Sequence, residues 1–345
     1  MSFRAVILSE GFLGSTYGKT ANGLCRYSTR FTIVAVIDST KAGMKIENVV
    51  ELANPEIKII STLKEAIALK CDTLIVGVAT DGGFIPDNFK PYIMDAIRSG
   101  MNIVSGLHQY VSSIREFSEE AAKHRVSITD VRKMFSEKRD LFTGRIWKIP
   151  SKRIAVLGTD SAIGKRTTAV YLNREINRRG HTSSMIGTGQ TAWMQGFKHT
   201  LVIDAMVNDF IPGGIEKTIL EAYDEEKPEY MILEGQGSVL HPVYPGSFEL
   251  ISAGSPDAII LQHAPTRKAY DGFDDIPMPS LERFIQILEL LSGKKVIAIT
   301  LNSENMTEKE IEEEKKSLSD RFQIPVINPF TESDRLADIV ISTVK

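Results

Sequence analysis

Two cysteines in 345 residues, Cys25 and Cys71, are too few to staple a secreted scaffold of this size, and they fit a reducing compartment. No uncharged apolar run approaches the roughly 18 residues that a membrane-spanning helix needs. Charge of one sign is missing as well. The 41 Lys and Arg residues against 44 Asp and Glu leave a formal charge of -3, so no global field exists to hold nucleic acid or an anionic membrane. An anion site must therefore be local. Tandem repeats and low-complexity tracts are absent, and none of the six histidines stands in an H-x-x-x-H or H-x-E pair, so no metal site is expected. The opening MSFRAVILSEG is too short for a signal peptide and reads as a first buried strand. These absences lead to the expectation of a cytoplasmic protein with no nucleic-acid or membrane partner, and they are compatible with a homo-oligomer.

What is present is an alternation of short apolar runs with amphipathic stretches. The runs are Ala5–Leu8, Thr32–Ile37, Thr73–Val78, Asn102–Ser105, Arg153–Leu157, Ser184–Ile186, Tyr230–Leu233, Ala258–Leu261, Lys295–Thr300 and Pro325–Asn328. Helical patterns cover Leu63–Leu69, Lys90–Arg98, Ser112–His124, Lys165–Arg178, Ile215–Tyr223 and Ser280–Leu291. Strands that are apolar throughout and separated by helices predict α/β architecture, with parallel sheets covered on both faces. At 38.3 kDa the chain is long for a single core, and two domains are expected. Residues 131–150 show no clear strand and are rich in basic side chains, among them Arg132, Lys133, Arg139, Arg145 and Lys148. The boundaries expected are therefore 1–130, a linker at 131–150, and 151–345. The basic excess fits an exposed linker helix; the alternative is that it faces an anion site immediately downstream.

That downstream segment, RIAVLGTDSAIGKRTTAVYL at 153–172, carries the strongest motif in the chain. A buried strand enters a loop bounded by Gly158 and Gly164, followed by Lys165 and an amphipathic helix. In such a loop backbone N–H groups point inward, the helix N-terminus adds partial positive charge, and the lysine adds a full one. Thr159, Asp160 and Ser161 line the turn, and Thr167 and Thr168 open the helix. Two departures from G-x-x-x-x-G-K-[ST] matter. Five residues rather than four separate the glycines, and Arg166 stands where a hydroxyl normally meets magnesium. One residue along a helix turns a side chain by about 100°, so Thr167 and Thr168 are not automatic substitutes. An arginine there supplies donors for a phosphate while removing a metal ligand.

Farther on, EYMILEGQGSVLHPVYPGS at 229–247 ends an apolar strand in Glu234. A carboxylate at such a strand end lies beside the phosphates in phosphate-loop folds, where it holds metal or takes a proton; the alternative is a cap for the next element. His241 follows within the same glycine-rich stretch.

The stretches GTD…GK at 158–165 and EGQG at 234–237 resemble dethiobiotin synthetase. A closer likeness spans nearly the whole chain. KTANGLCRY (19–27), GTDSAIGKRTT (158–168), GTGQT (187–191), DAMVNDFIPGGIE (204–216), EGQGSVLHPVY (234–244) and PDAIILQHAPTR (256–267) resemble the two-domain family, mostly of unknown function, that includes bacterial D-glutamate N-acetyltransferases. The resemblance implies an N-terminal Rossmann-like domain, a C-terminal P-loop domain, and acetyl transfer from acetyl-CoA to a D-amino acid. Coenzyme A carries phosphates that acyl transfer leaves intact, which suits a phosphate loop without a magnesium hydroxyl. The alternative is an ATP- and magnesium-dependent ligase or kinase, and a third reading is a non-catalytic nucleotide-binding module.

For amine acetylation the candidate bases are Glu234 first and His241 second. The loop residues Gly158, Thr159, Asp160, Ser161, Gly164, Lys165, Arg166, Thr167 and Thr168 would hold the cofactor. Arg267 is a natural fork for a substrate carboxylate, and His263 sits close to it at another strand end. Gln190, Thr191, Asp204 and Asp209 either line the substrate pocket or serve turns and caps. No activated Cys or Ser is evident, so direct transfer is expected. In the N-terminal half, Gly11, Gly14, Gly18, Lys19 and Thr20 mimic a phosphate loop, but Leu13 replaces its leading glycine and Ser9 replaces the first glycine of a dinucleotide fingerprint. Asp38 ends the second strand as a ribose-binding acid would.

Overall fold

The computed structural model describes residues 3–344. Two compact units emerge. Residues through Glu137 together with Gln190–Lys198 form the first, and Lys138–Gly189 together with the chain from His199 onward form the second.

In the first unit, β1 (Phe3–Leu8), α1 (Lys19–Arg26), β2 (Phe31–Ile37), β3 (Lys58–Ile60), α2 (Leu63–Ala68), β4 (Thr73–Val76), α3 (Lys90–Arg98), β5 (Asn102–Ser105), α4 (Arg115–His124), β6 (Ile128–Asp130) and α5 (Val131–Ser136) follow one another. The strands pair in the order β3-β2-β1-β4-β5-β6, and every pairing is parallel. This is the doubly wound dinucleotide-fold order, whose reversal falls between β1 and β4. The sequence dictates it through strands with no polar face: Ala5–Leu8 and Leu74–Val76 are wholly buried, so helices must cover both sides. Phe89, Ile93 and Ile97 fill one such layer. Thr62 and Glu65 form a reciprocal capping box that starts α2. At the crevice, the buried Asp38 carboxylate accepts from Leu13 N at 3.1 Å and from Thr40 Oγ1 at 2.6 Å. It ties its own loops together.

The second unit contains β7 (Lys152–Gly158), α6 (Lys165–Arg178), β8 (Ser183–Gly187), β9 (His199–Thr200), α8 (Ile211–Glu226), β10 (Tyr230–Glu234), α9 (Ser247–Gly254), β11 (Ala258–His263), the hairpin β12 (Ala269–Tyr270) and β13 (Phe273–Pro277), α10 (Leu281–Ser292), β14 (Val296–Leu301), α11 (Glu308–Phe322), β15 (Val326–Ile327) and α12 (Ser333–Thr343); α7 (Gln190–Gln195), between β8 and β9 in the chain, belongs to the first unit. Its seven-stranded sheet runs β15-β14-β11-β7-β10-β8-β9, again parallel. β7 lies between β10 and β11, so Gly158, Glu234 and His263 leave the sheet at one edge, where α/β folds hold ligands.

Residues 138–150 are not exposed throughout. Glu216 of α8 is buried and accepts from Thr143 N at 2.5 Å, Thr143 Oγ1 at 2.9 Å and Ile146 N at 3.1 Å. Burial alone would raise that carboxyl's pKa, but these donors outweigh it and hold the pKa below the ordinary value. The neighbouring cations also have structural partners. Arg139 lies over the Phe210 ring at 5.2 Å, and Arg153 donates to Ser255 O at 2.9 Å. Among the described residues no helix is long and apolar enough to cross a membrane.

Candidate functional site

β7 runs out at Gly158, where a Cβ would lie 2.9 Å from both Ile163 Cδ1 and Lys165 Cδ. A side chain there would displace the lysine, so the glycine is a packing requirement. Gly164 closes the loop at φ +98°, a left-handed conformation cheap only for glycine, and α6 starts at the next residue. Gly235, after β10, completes the cradle from the other side: its Cβ would stand 2.3 Å from Val156 O and 3.0 Å from Lys165 Cδ.

Asp160 organises the loop. Its carboxylate is fully buried and accepts from Ser161 N (2.7 Å), Asp271 N (3.0 Å) and Arg267 Nη1 (3.1 Å). Its carbonyl accepts from Lys165 Nζ at 2.6 Å. Arg267 also donates to Ser161 O at 2.9 Å and Ala162 O at 3.4 Å, while Ser161 Oγ donates to Asp271 Oδ2 at 2.5 Å. The guanidinium fork expected for a substrate carboxylate is thus already engaged by the loop in this structure.

Arg166 Nε lies 2.8 Å from Glu234 Oε1 as an ion pair, although the N–H is not aligned for a hydrogen bond. Glu234 is 2% exposed. Its Oε2 accepts from Thr188 N at 3.1 Å, and its carbonyl accepts from Thr188 Oγ1 at 2.9 Å. The strand-end carboxylate therefore faces a cation of its own chain. Thr168 Oγ1 donates to Gln262 Oε1 at 2.5 Å, which commits that hydroxyl to the sheet side; Thr167 is half-buried.

His241 is buried beneath an exposed run, Pro242–Pro245. Its Nδ1 accepts from Val243 N and Tyr244 N, both at 3.1 Å, so in the neutral ring the proton resides on Nε2. Nε2 lies 3.5 Å from Asp160 Oδ1. Burial lowers the imidazole pKa, opposed by the Asp160 charge. His263 ends β11, and its Nδ1 meets Thr159 Oγ1 at 3.1 Å. Burial, with help from Lys268, pushes its pKa down to about 4.

Two family models match this chain. A "domain of unknown function" P-loop domain, DUF1611_C, covers residues 140–337, and the Rossmann-like DUF1611_N covers 39–134. The chain belongs to the DUF1611 family. A crystal structure of a DUF1611 protein from Anabaena variabilis superposes with a TM-score of 0.91 at 28% identity, covering 99% of this chain and all of that one. Proteins named D-glutamate N-acetyltransferase are similar in sequence. The one from Tritonibacter scottomollicae is 32% identical over 80% of this chain and 83% of its own length. The one from a Pseudoalteromonas species is 30% identical over 77% and 80%. The family, the Rossmann-like and P-loop domains and the parallel sheets read from the sequence all stand.

Within this DUF1611 chain the second unit brings together Thr159, Asp160, Ser161, Lys165, Arg166, Glu234, His241, His263 and Arg267 through the contacts above. Other candidates lie elsewhere. Thr191 and Gln190 are buried in α7, in the first unit, where Thr191 Oγ1 meets Thr20 Oγ1 at 3.1 Å; a Cβ on Gly106 would approach Gln190 Cγ to 2.5 Å. Asp204 and Asp209 are exposed on short turns before α8. Sequence reasoning missed Asp271 and Thr188, which complete the loop. Thr188 stood inside the GTGQT stretch, whereas nothing about Asp271 marked it. It also missed that His199 Nε2 and carboxylate oxygens of Glu225 and Glu226 lie within 4.8 Å of one another, a grouping across β9 and α8 that local spacing does not reveal. Glu226 is already engaged there by His199 at 2.9 Å and by Ser184.

Proposed function

We propose that this chain transfers an acetyl group from acetyl-CoA to the amine of a D-amino acid, with D-glutamate the first acceptor to test. The observation that carries the reading is the similarity, over about four-fifths of the chain, to two proteins named for that reaction. The loop's chemistry supports it. Lys165, the N–H groups opening α6 and Arg166 form a donor set for phosphate oxygens, and the glycine cradle leaves room for close approach. A loop built to cleave a terminal phosphoryl group needs a carboxylate and a hydroxyl free for magnesium. Here the carboxylate is paired with Arg166 and no hydroxyl follows Lys165, so the ATP-dependent ligase is not supported.

Acetyl-CoA, when bound, would supply the thioester that activates the acetyl group. The protein's part is to grip phosphates, to exclude water and to move one proton. Glu234 is the group for that proton, because His241 Nδ1 already accepts two backbone N–H bonds. Arg166 drawn toward a phosphate would release Glu234 Oε1 for the amine. Supplying acetyl-CoA with D- or L-glutamate and following free thiol tests the function. Thiol release that depends on the D-isomer and needs no magnesium is expected; its absence across a panel of D-amino acids overturns the reading.

A further inference from the structure

We propose that His241 Nε2 and the Tyr270 hydroxyl form a buried donor site for one sp2 oxygen, the carbonyl oxygen of the acyl thioester. The inference rests on the acetyl-transfer reading above and goes beyond it by assigning these two side chains.

Three buried polar atoms in this corner of the second unit have no hydrogen-bond partner: Ser238 Oγ, His241 Nε2 and Tyr270 Oη. Their residues are 0%, 2% and 5% exposed. Buried donors left unsatisfied are costly, so such a cluster calls for an explanation. The atoms belong to one neighbourhood, since the His241 and Tyr270 rings stand 5.0 Å apart and His241 N donates to Ser238 O at 3.1 Å. The Tyr244 ring also lies 4.8 Å from the imidazole and is itself 43% exposed.

The polarity of the site follows from the ring. With two backbone N–H groups on Nδ1, the neutral imidazole offers only an N–H at Nε2. Asp160 Oδ1 lies 3.5 Å from this N–H, and a poorly aligned hydrogen bond to the Asp271 main chain raises the imidazole pKa against burial; no acceptor meets the N–H in good geometry. A site made of donors takes an acceptor oxygen. Asp160 is itself paired with Arg267 Nη1 at 3.1 Å, so charge developing on a carbonyl oxygen seated at Nε2 meets a carboxylate already balanced by its own cation. As the amine nitrogen forms its bond to the thioester carbon, the carbonyl electron pair moves onto oxygen. It returns as the C–S bond breaks, and the sulfur leaves as thiolate and takes the proton that the amine gave up. Donors fixed in place before the reaction are most effective at that oxygen.

Tyr270→Phe removes one hydroxyl that bonds nothing, so a purely structural role predicts unchanged or improved thermal stability and unchanged kinetics. The proposal predicts unchanged stability with turnover reduced on the order of 100–1000-fold. Isotope-edited infrared spectra of carbonyl-13C acetyl-CoA, without acceptor, give a second readout. The thioester band should shift to lower frequency on the wild type and lose much of that shift on Tyr270→Phe. His241→Gln, which keeps an N–H near Nε2, should retain more of it than His241→Leu. An unmoved band, or a Tyr270→Phe defect confined to the acceptor KM, overturns the assignment and in the latter case gives the site to an acceptor carboxylate. Calorimetry separates the failures: coenzyme A binding without a band shift sinks only this inference, whereas no binding sinks the acetyl-transfer reading with it.

Discussion

Replacing Arg166 by Met should be far more damaging than replacing Glu234 by Gln. Glu234 is 2% exposed, and its cation lies 2.8 Å away with a side chain 24% exposed. Stranding one partner of a fully buried ion pair costs about 3–5 kcal/mol. Arg166 retains some solvent, and Thr188 N still serves Glu234 Oε2, so the expected loss for Arg166→Met falls to about 2–3 kcal/mol. Glu234→Gln leaves an oxygen for Thr188 N and a guanidinium that can reach water, at a cost of less than about 1 kcal/mol. The double variant should resemble Glu234→Gln alone, giving a coupling of about 2 kcal/mol in a double-mutant cycle. Urea unfolding measures the stabilities, and calorimetry on the same proteins should show coenzyme A binding weakened by Arg166→Met but not by Glu234→Gln. If Arg166→Met is as stable as wild type and the cycle is additive, Arg166 is not the counter-ion of Glu234, and the argument against a magnesium carboxylate fails.

The clasp on the loop gives a second prediction. Arg267→Lys, although it keeps the charge, cannot reproduce three bonds to Asp160, Ser161 and Ala162; it should lower stability and coenzyme A affinity, whereas a pure substrate clamp would raise only the acceptor KM. Gly237→Ala meets both a φ of +59° and Tyr244 O at 1.7 Å from the new Cβ, so low soluble yield or a Tm drop of several degrees is expected in thermal denaturation. His263 provides a pH signature. Its folded pKa of about 4 lies below the unfolded value near 6.5, so the unfolded state binds the extra proton first. Stability should fall as pH drops from about 6.5 toward about 4, by at most about 3 kcal/mol, and His263→Gln should flatten that part of the curve. An unchanged acid limb would remove His263 as its source.

Much of the architecture was legible because every central strand is apolar on both faces. Asn102–Ser105, Lys90–Arg98 and Lys165–Arg178 match their elements to the residue. Short edge strands such as Lys58–Ile60 and Ile128–Asp130 were not, since three residues carry too little periodicity to count. The hairpin Ala269–Pro277 escaped for a different reason: β13 is largely exposed and acidic, a pattern that reads as loop. Helix α7 shows the limit most plainly. Its sequence lies within the C-terminal half, yet its side chains bond Thr20 and Gly23 of the first unit, and no local pattern encodes such a destination. In the site, the glycines and Lys165 announced the loop through spacing alone. The partnership of Arg267 with Asp160, 107 residues away, did not, because an arginine able to clamp a substrate carboxylate is equally able to clamp one of the chain's own. His241 drew notice as a possible base from its residue type; only the two N–H groups on Nδ1 reveal that it is a donor.

The most direct test of the phosphate-loop account is a calorimetric titration of wild type and Lys165→Ala with coenzyme A and, separately, with ATP and magnesium. The account predicts that wild type binds coenzyme A without added metal and that Lys165→Ala loses this binding. Tight binding of magnesium-ATP with no heat from coenzyme A, or coenzyme A binding untouched by Lys165→Ala, would contradict it.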